Sequence, residues 1–142
     1  MKPIKHSVAF VIYNPDRSNF VIVKRPEDDK DLPNVWGLPV GSLLEEETFE
    51  NCVIRSAKEK MGIEVGVGRL VNEGEIDRDD YILHMKEFEA RIRKGDILVP
   101  QENSNVTQYS EWKWGSASDL IKAAQGGSLC SQLYLSSIDR IW

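Results

Sequence analysis

The sequence contains no hydrophobic run long enough to cross a membrane. A spanning helix needs about 20 consecutive apolar residues, whereas the apolar stretches SVAFVIY and FVIVK end after a few residues. The N-terminal stretch MKPIKHSVAFVIYNPDR also has too short an apolar run for a signal peptide. We therefore expect a cytoplasmic protein without a membrane partner.

An excess of basic charge and a supply of cysteine are also missing. The formal net charge is -5, whereas a surface that binds nucleic acid is usually basic. This balance argues against a nucleic-acid partner but leaves room for a small anion held by a local cation or metal. Cys52 and Cys130 are far apart and form no CxxC motif. They are expected to be free thiols in a reducing compartment.

The arrangement of apolar residues predicts a mixed α/β (α+β) fold. The stretches SVAFVIY and FVIVKR read as two strands joined by the turn NPDRSN, and VWGLPVG reads as one short strand after the exposed loop PEDDKDLPN. Three further strands are expected at EVGVGRLVNEGEI, DYILHMKEFEARI and YSEWKWGS, followed by helices at SASDLIKAAQGG and SLCSQLYLSSIDRIW. The order predicts a mixed sheet with helices on its faces, in a single domain over residues 1–142.

A helical period begins after Thr48, which is a good N-cap residue because its hydroxyl can accept a backbone N–H bond. The apolar stripe of this helix consists of Phe49, Val53, Ala57 and Met61. Gly62 suits the end of the helix.

Three charged residues accompany this helix. Arg55 and Glu59 are one turn apart, and Glu47 lies just before the helix, within reach of Arg55. The spacing fits an ordinary amphipathic helix with solvated charges. The same spacing also allows a Glu47–Arg55 ion pair that supports Glu59, whose carboxylate would then face a ligand.

The spacing of six residues resembles the Nudix box, which is a glycine, five residues, a glutamate, seven residues and then Arg-Glu-aliphatic-x-Glu-Glu-x-Gly-aliphatic. The matching residues are Gly41, Glu47, Arg55, Glu59, Gly62 and Ile63. The flanks WGLPVGSL, VIVKRP and SEWKW are also similar to the family, so that the resemblance covers residues 5 to 125.

The resemblance implies a fold, a reaction and a cofactor. The fold would be the Nudix α/β/α sandwich, and the reaction would be hydrolysis of a diphosphate linkage in a nucleoside diphosphate derivative. The family uses Mg²⁺ or Mn²⁺, here held by the carbonyl of Gly41 and by Glu59. Such cations neutralise phosphate oxygens and activate a bound water. Glu59 would be catalytic, with Glu47 and Arg55 as the supporting ion pair.

Three positions depart from the box. Ser56 and Lys60 stand where the family has glutamates, and Ala57 stands where a larger aliphatic residue is usual. At about 6 Å and an effective dielectric constant near 20, an ammonium and a divalent ion repel by roughly 5 kcal/mol. We therefore expect weak binding of Mg²⁺ or Mn²⁺.

Other acids could replace the missing ligands. Glu45 and Glu46 lie beside Glu47, and Glu102 precedes the late strand. Each could enter a metal site or remain a solvated surface charge. If Gln108 takes the place of the family's late acid, a third carboxylate is missing.

Candidate substrate-binding residues precede the box. Lys24 and Arg25 could meet phosphate or lie on the surface, and Trp36 could stack on a base or belong to the core. Trp112 and Trp114 share one face of a strand, which favours the core. The two histidines, His6 and His84, show no ligand spacing and are expected to be structural or surface residues.

Three functions remain open from sequence. The chain could be a Nudix-type hydrolase with a reduced metal set, a protein on that fold that binds a nucleotide-like small molecule without cleaving it, or a protein-interaction module. Metal-dependent turnover separates the first from the second, and nucleotide binding separates both from the third. A homodimer remains possible.

Overall fold

Two β-sheets and three helices build the fold in the computed structural model, which describes residues 1–26, 34–102 and 106–142. The strands are β1 (Ile4–Ile12), β2 (Phe20–Lys24), β3 (Trp36–Gly37), β4 (Val40–Ser42), β5 (Glu64–Asp77), β6 (Ile82–Lys94) and β7 (Glu111–Gly115). The helices are α1 (Phe49–Met61), α2 (Ile121–Gln125) and α3 (Leu129–Ser137), and a 3₁₀ turn (Ala117–Leu120) leads into α2.

The first sheet has the strand order β4-β1-β6-β5, and the second has the order β3-β2-β7. In the first sheet β1 runs parallel to β6 and antiparallel to β4, while β5 and β6 form a long antiparallel ribbon. The first sheet is therefore mixed, and it lies between helices. The predicted fold class, a mixed sheet with helices on its faces, is confirmed.

Alternating residues of β1 serve two cores, because successive side chains of a strand point to opposite faces. Val8 and Phe10 pack in the cluster that includes α1, whereas Ala9 and Val11 pack in the cluster that includes α2 and α3. Helix α1 thus covers one face of the first sheet, and the C-terminal helices cover the other.

Helix α1 has a defined cap at each end. The Thr48 hydroxyl accepts a bond of 3.1 Å from the backbone N–H of Asn51. Gly62 ends the helix in the left-handed region, at φ 73°, and its N–H reaches the Lys58 carbonyl. Val53, Ala57 and Met61 are buried, and Phe49 is partly buried. The apolar stripe of the sequence is the core-facing side of the helix.

The stretch VWGLPVG differs from the prediction of one strand. It forms β3, which pairs with β2, and β4, which pairs with β1, so that it joins the two sheets. Leu38 and Pro39 lie buried between the two strands, and the Pro39 carbonyl accepts the N–H of Phe10 at 3.0 Å. The loop predicted at PEDDKDLPN falls mostly outside the described residues.

Two details near the C-terminus also differ from the sequence prediction. Trp114 is exposed, although Trp112 packs against the core. Strand β7 lies at the edge of its sheet and has a neighbouring strand on one side only. The final helix stops at Ser137, and the remaining five residues of the predicted helix are not helical. Among the described residues, no helix is both long and apolar enough to span a membrane.

The core contains one buried carboxyl group. Glu87, on β6, has no solvent exposure, and neither of its carboxyl oxygens has a hydrogen-bond partner within the described ranges. Burial raises the pKa of Glu87 well above its ordinary value because a charge in an apolar environment is poorly solvated. Burial therefore favours the neutral form of this side chain inside the fold.

We expect Glu87→Gln to flatten the pH dependence of stability above about pH 4.3, the ordinary pKa of glutamate. The unfolded chain releases the Glu87 proton near that pH, whereas the folded chain keeps it up to the raised pKa. Stability therefore falls as the pH rises through this window. Urea unfolding across the window measures the slope for the parent, for Glu87→Gln and for the exposed control Glu75→Gln. An unchanged slope in Glu87→Gln would contradict the assignment.

Candidate functional site

The loop between β4 and α1 is closed by Glu47. One Glu47 carboxylate oxygen accepts the backbone N–H of Leu44 at 3.1 Å, and the Glu47 N–H returns to the Leu44 carbonyl at 3.1 Å. Glu46 adopts a positive φ of 63°, which turns the chain sharply before the helix. Glu45 and Glu46 are consequently exposed at the tip.

Arg55 connects this loop to the helix and to β4. Its guanidinium donates two bonds to Glu47, at 2.7 and 2.9 Å, one bond of 2.7 Å to Glu59, and one of 2.8 Å to the Ser42 carbonyl. The two bonds to Glu47 form a bidentate pair, the strongest geometry for these groups. The Arg55 bonds hold the pKa of Glu47 below its ordinary value, and Glu47 in turn raises the pKa of Arg55.

Glu59 is therefore a partner in an ion pair. One of its oxygens accepts from Arg55, and its side chain is 30% exposed. The sequence prediction treated Glu59 as a carboxylate aimed at a ligand. Glu59 remains accessible to solvent, but Arg55 offsets its negative charge.

Gly41 and Ser56 are in close contact between β4 and α1. Both are buried, and a Cβ atom at position 41 would collide with the Ser56 hydroxyl oxygen. The Ser56 hydroxyl also lies 3.8 Å from the Cys52 sulfur. The glycine is thus required by packing, and the helix surface next to it carries a neutral group.

Lys60 reaches from α1 to β4. Its ammonium group donates a bond of 2.8 Å to the carbonyl of Val40, the residue before Gly41. The Tyr109 hydroxyl accepts the Val40 N–H at 2.9 Å, and the Lys60 nitrogen lies 5.4 Å from the centre of the Tyr109 ring. The Lys60 ammonium therefore places a positive charge next to the residue that precedes Gly41.

The donor set does not fit a divalent metal. Within residues 1–26, 34–102 and 106–142, no group of three or more His, Cys, Asp or Glu side chains is placed to hold one. Of the two predicted ligands, Gly41 offers a carbonyl, and Glu59 is already paired with Arg55. Mg²⁺ demands near-octahedral oxygen coordination, whereas Lys60 brings a positive charge to the neighbouring carbonyl.

A cavity of about 260 Å³ opens beside Gly41 and Lys60. Its described lining includes three basic residues, Arg25, Lys60 and Arg78, and no Asp or Glu. Polar groups come from Ser7, Ser42, Tyr81, Thr107, Tyr109 and Ser128. The cavity therefore has the charge and the hydrogen-bond donors that suit an anion.

The structure brings only some of the predicted site residues to this cavity. Gly41 and Arg25 line it. The other predicted site residues do not line it; these are Lys24, Trp36, Glu47, Arg55 and Glu59. Lys24 instead forms an ion pair with Glu111 at 3.3 Å. Trp36 packs against the second core cluster, with the Lys113 ammonium 4.5 Å from its ring centre.

The alternative acids also lie elsewhere. Glu45 and Glu46 line a neighbouring depression with His6. This depression shares Ser42, Tyr81 and Leu83 with the cavity. Glu102 is exposed. Gln108 accepts the backbone N–H of Gln101 at 2.8 Å.

The two histidines form a small cluster away from the cavity. The Nδ1 atoms of His6 and His84 are 2.8 Å apart, and Nε2 of His84 lies 2.6 Å from a Glu73 carboxylate oxygen. Both rings also contact Phe49 edge to face.

Sequence analysis missed Arg78 and Tyr81. They lie in the connection between β5 and β6, where a bond of 2.8 Å joins the Arg78 N–H to the Tyr81 carbonyl. The sequence prediction placed Tyr81 in a strand and left Arg78 in the connection before it. The position of this connection beside the cavity depends on the length and twist of the ribbon. No local signal in the sequence gives that position.

The fold and site define an α/β/α sandwich protein whose loop and first helix carry a Glu-Arg-Glu network beside a basic cavity. A family model described as NUDIX domain matches residues 3–130. The chain belongs to the Nudix family.

Solved structures show the same fold. They include the MutT protein from Methanosarcina mazei Go1, which is 20% identical and has a TM-score of 0.68, with 85% of this chain and 83% of that chain covered. The E. coli ORF135 protein is 17% identical with a TM-score of 0.71, covering 95% and 91%. An ADP-ribose pyrophosphatase from Streptococcus suis 89-1591 is 18% identical with a TM-score of 0.65, covering 95% and 90%. A search of curated proteins finds no match to this chain.

We expect Glu47→Gln to lower the free energy of unfolding by about 2 kcal/mol at neutral pH, the usual loss for a hydrogen bond to a charged group. The loss should be present without metal, because the pair with Arg55 needs none. Since the folded pKa of Glu47 is lowered, the stabilisation is present above the ordinary glutamate pKa and disappears as the pH falls through the folded pKa. The difference between the two proteins should therefore vanish in acid.

Urea unfolding in EDTA, repeated over a range of pH, measures this difference. Glu45→Gln, in the same loop but exposed, is the matched control and should behave like the parent. Equal stability of Glu47→Gln and the parent at neutral pH would show that the ion pair does not hold the loop.

Proposed function

We propose that this Nudix chain, acting as one domain, binds a nucleoside diphosphate derivative and holds its diphosphate in the cavity beside Gly41. The observation that carries the proposal is the lining of that cavity, with Arg25, Lys60 and Arg78 and no acid among its described residues. A diphosphate carries several negative charges, and Lys and Arg are the side chains that complement them.

The size and charge of the site favour a small ligand over a nucleic acid. The whole chain carries a net charge of -5, whereas the described lining of the cavity, of about 260 Å³, is basic. A nucleic acid would need an extended basic surface. A diphosphate group would lie inside the cavity, and the nucleoside would extend toward its mouth.

Names of solved structures support the same ligand class. One neighbour is named an ADP-ribose pyrophosphatase and another a UDP-X diphosphatase. These names describe those proteins. They make nucleoside diphosphate derivatives the first ligands to test on this chain.

Roles follow for the remaining site residues. The absence of a side chain at Gly41 makes room for the Ser56 hydroxyl, and Gly41 itself lines the cavity. Glu47 and Arg55 fix the loop that follows this glycine. The hydroxyl of Tyr81, in the cavity wall, would donate a hydrogen bond to a phosphate oxygen.

Hydrolysis of the diphosphate is the second candidate function, and the accessibility of Glu59 favours it. One Glu59 oxygen is paired with Arg55. Glu59 does not line the cavity, so its other oxygen would accept a proton from an attacking water only on a diphosphate that extends beyond the cavity. The water oxygen would bond to phosphorus as the bridging P–O bond breaks, giving two phosphate products. With Ser56 and Lys60 replacing two acids, we expect this turnover to be slow or absent.

Binding and turnover can be measured in one panel. We expect ADP, ADP-ribose and UDP-glucose to raise the melting temperature and adenosine to have no effect, because adenosine lacks the diphosphate. Each ligand is tested in EDTA, Mg²⁺ and Mn²⁺, and chromatography of the nucleotides measures cleavage. Absence of a shift with every diphosphate would refute the binding function. Brisk Mg²⁺-dependent cleavage would make hydrolysis the primary function. It would also contradict the expectation that the residues of this site do not hold a divalent metal.

A further inference from the structure

The Lys60 ammonium holds an unusual position for a helix lysine. It is half-buried and lies against β4, hydrogen-bonded to the Val40 carbonyl at 2.8 Å. An ammonium has three donors, so this bond leaves two for another partner. No carboxylate within the described ranges forms an ion pair with Lys60. A half-buried cation without a counter-ion favours an anion beside it.

Arg78 presents a similar group on the same cavity. Its guanidinium donates to the Gly127 carbonyl at 2.9 Å, which leaves further donors of its five N–H groups. It too has no carboxylate partner in the described part of the chain, and it lines the cavity together with Lys60. One cation belongs to helix α1 and the other to the β5–β6 connection, so they reach the cavity from different elements.

We propose that Lys60 and Arg78 bind the diphosphate directly, and that the Lys60 ammonium supplies the positive charge for which a metal would otherwise be needed. Ligand binding by this chain is then independent of divalent cations. The inference rests on the proposed function, because it concerns how the same cavity holds the same ligand.

The surroundings of Lys60 fix its ammonium in place for this role. The Tyr109 ring lies beside it, and the Tyr109 hydroxyl holds the Val40 N–H. Electron-rich aromatic faces attract cations, so that the ring and the Val40 carbonyl together restrict a flexible side chain. An ammonium ordered before binding loses less conformational entropy when the ligand arrives.

A solely structural role for Lys60 makes a different prediction. If the ammonium served only to join α1 to β4, its removal would lower stability and leave ligand affinity unchanged. Glutamine at position 60 keeps an N–H donor for Val40 and removes the charge, so Lys60→Gln separates the two roles. Lys58, two residues earlier on the same helix and exposed, provides a matched charge change outside the cavity.

The test is calorimetric titration of the intact chain with ADP and with inorganic diphosphate, in EDTA and then in Mg²⁺. We expect the parent to bind both ligands in EDTA, with Mg²⁺ giving no tighter binding. Lys60→Gln should weaken binding at least tenfold, about 1.4 kcal/mol, and Arg78→Gln should do likewise. Lys58→Gln should bind like the parent, and Lys60→Arg should retain most of the affinity. Circular dichroism checks that each variant is folded.

The outcomes distinguish this inference from the proposed function. Binding by the parent only when Mg²⁺ is present, or equal affinities of Lys60→Gln and Lys58→Gln, would overturn the inference while the ligand class stands. No binding of either ligand in both buffers would overturn the proposed function with it. If Lys60→Gln does not fold, Arg78→Gln and Lys60→Arg decide by the same comparison, since undiminished affinity in Arg78→Gln would refute direct contact.

Discussion

The guanidinium of Arg55 is the contact on which the arrangement of the site depends. It bonds Glu47 in the loop, Glu59 on its own helix and the Ser42 carbonyl at the end of β4. Helix α1, the loop and the strand that carries Gly41 are thereby joined by one side chain. Because a guanidinium is planar and remains charged, it can hold several acceptors in a fixed geometry. The wall of the cavity is ordered before any ligand enters.

The same network limits the metal binding that the Nudix fold can support in this chain. It uses the charge of two carboxylates, Glu47 and Glu59, to hold structure. At the neighbouring positions the helix offers a hydroxyl, from Ser56, and a cation, from Lys60. Neither position supplies a carboxylate that could bind a divalent cation. The Nudix fold and the Glu47–Arg55 ion pair are therefore present here without two of the acids that the family places on this helix.

Local patterns in the sequence account for much of this structure. Helix α1 has a stripe of period 3.6 between Thr48 and Gly62, and both caps form. The meeting of Glu47 with Arg55 follows from the spacing of a loop and two helical turns. Features that depend on contacts between residues distant in sequence could not be predicted from local patterns. Arg78 reaches the cavity through the β5–β6 ribbon, and VWGLPVG divides between two sheets because Leu38 and Pro39 are buried between its strands.

The contact between Gly41 and Ser56 limits how this surface can change by single substitutions. A glutamate at position 56 would have to pass a backbone that already touches the smaller hydroxyl. It would also lie one helical turn before Lys60, where acidic and basic residues attract. The new carboxylate would be neutralised by the existing ammonium, so that one substitution alone would produce an ion pair rather than a metal ligand. An acidic helix face therefore requires both positions to change together.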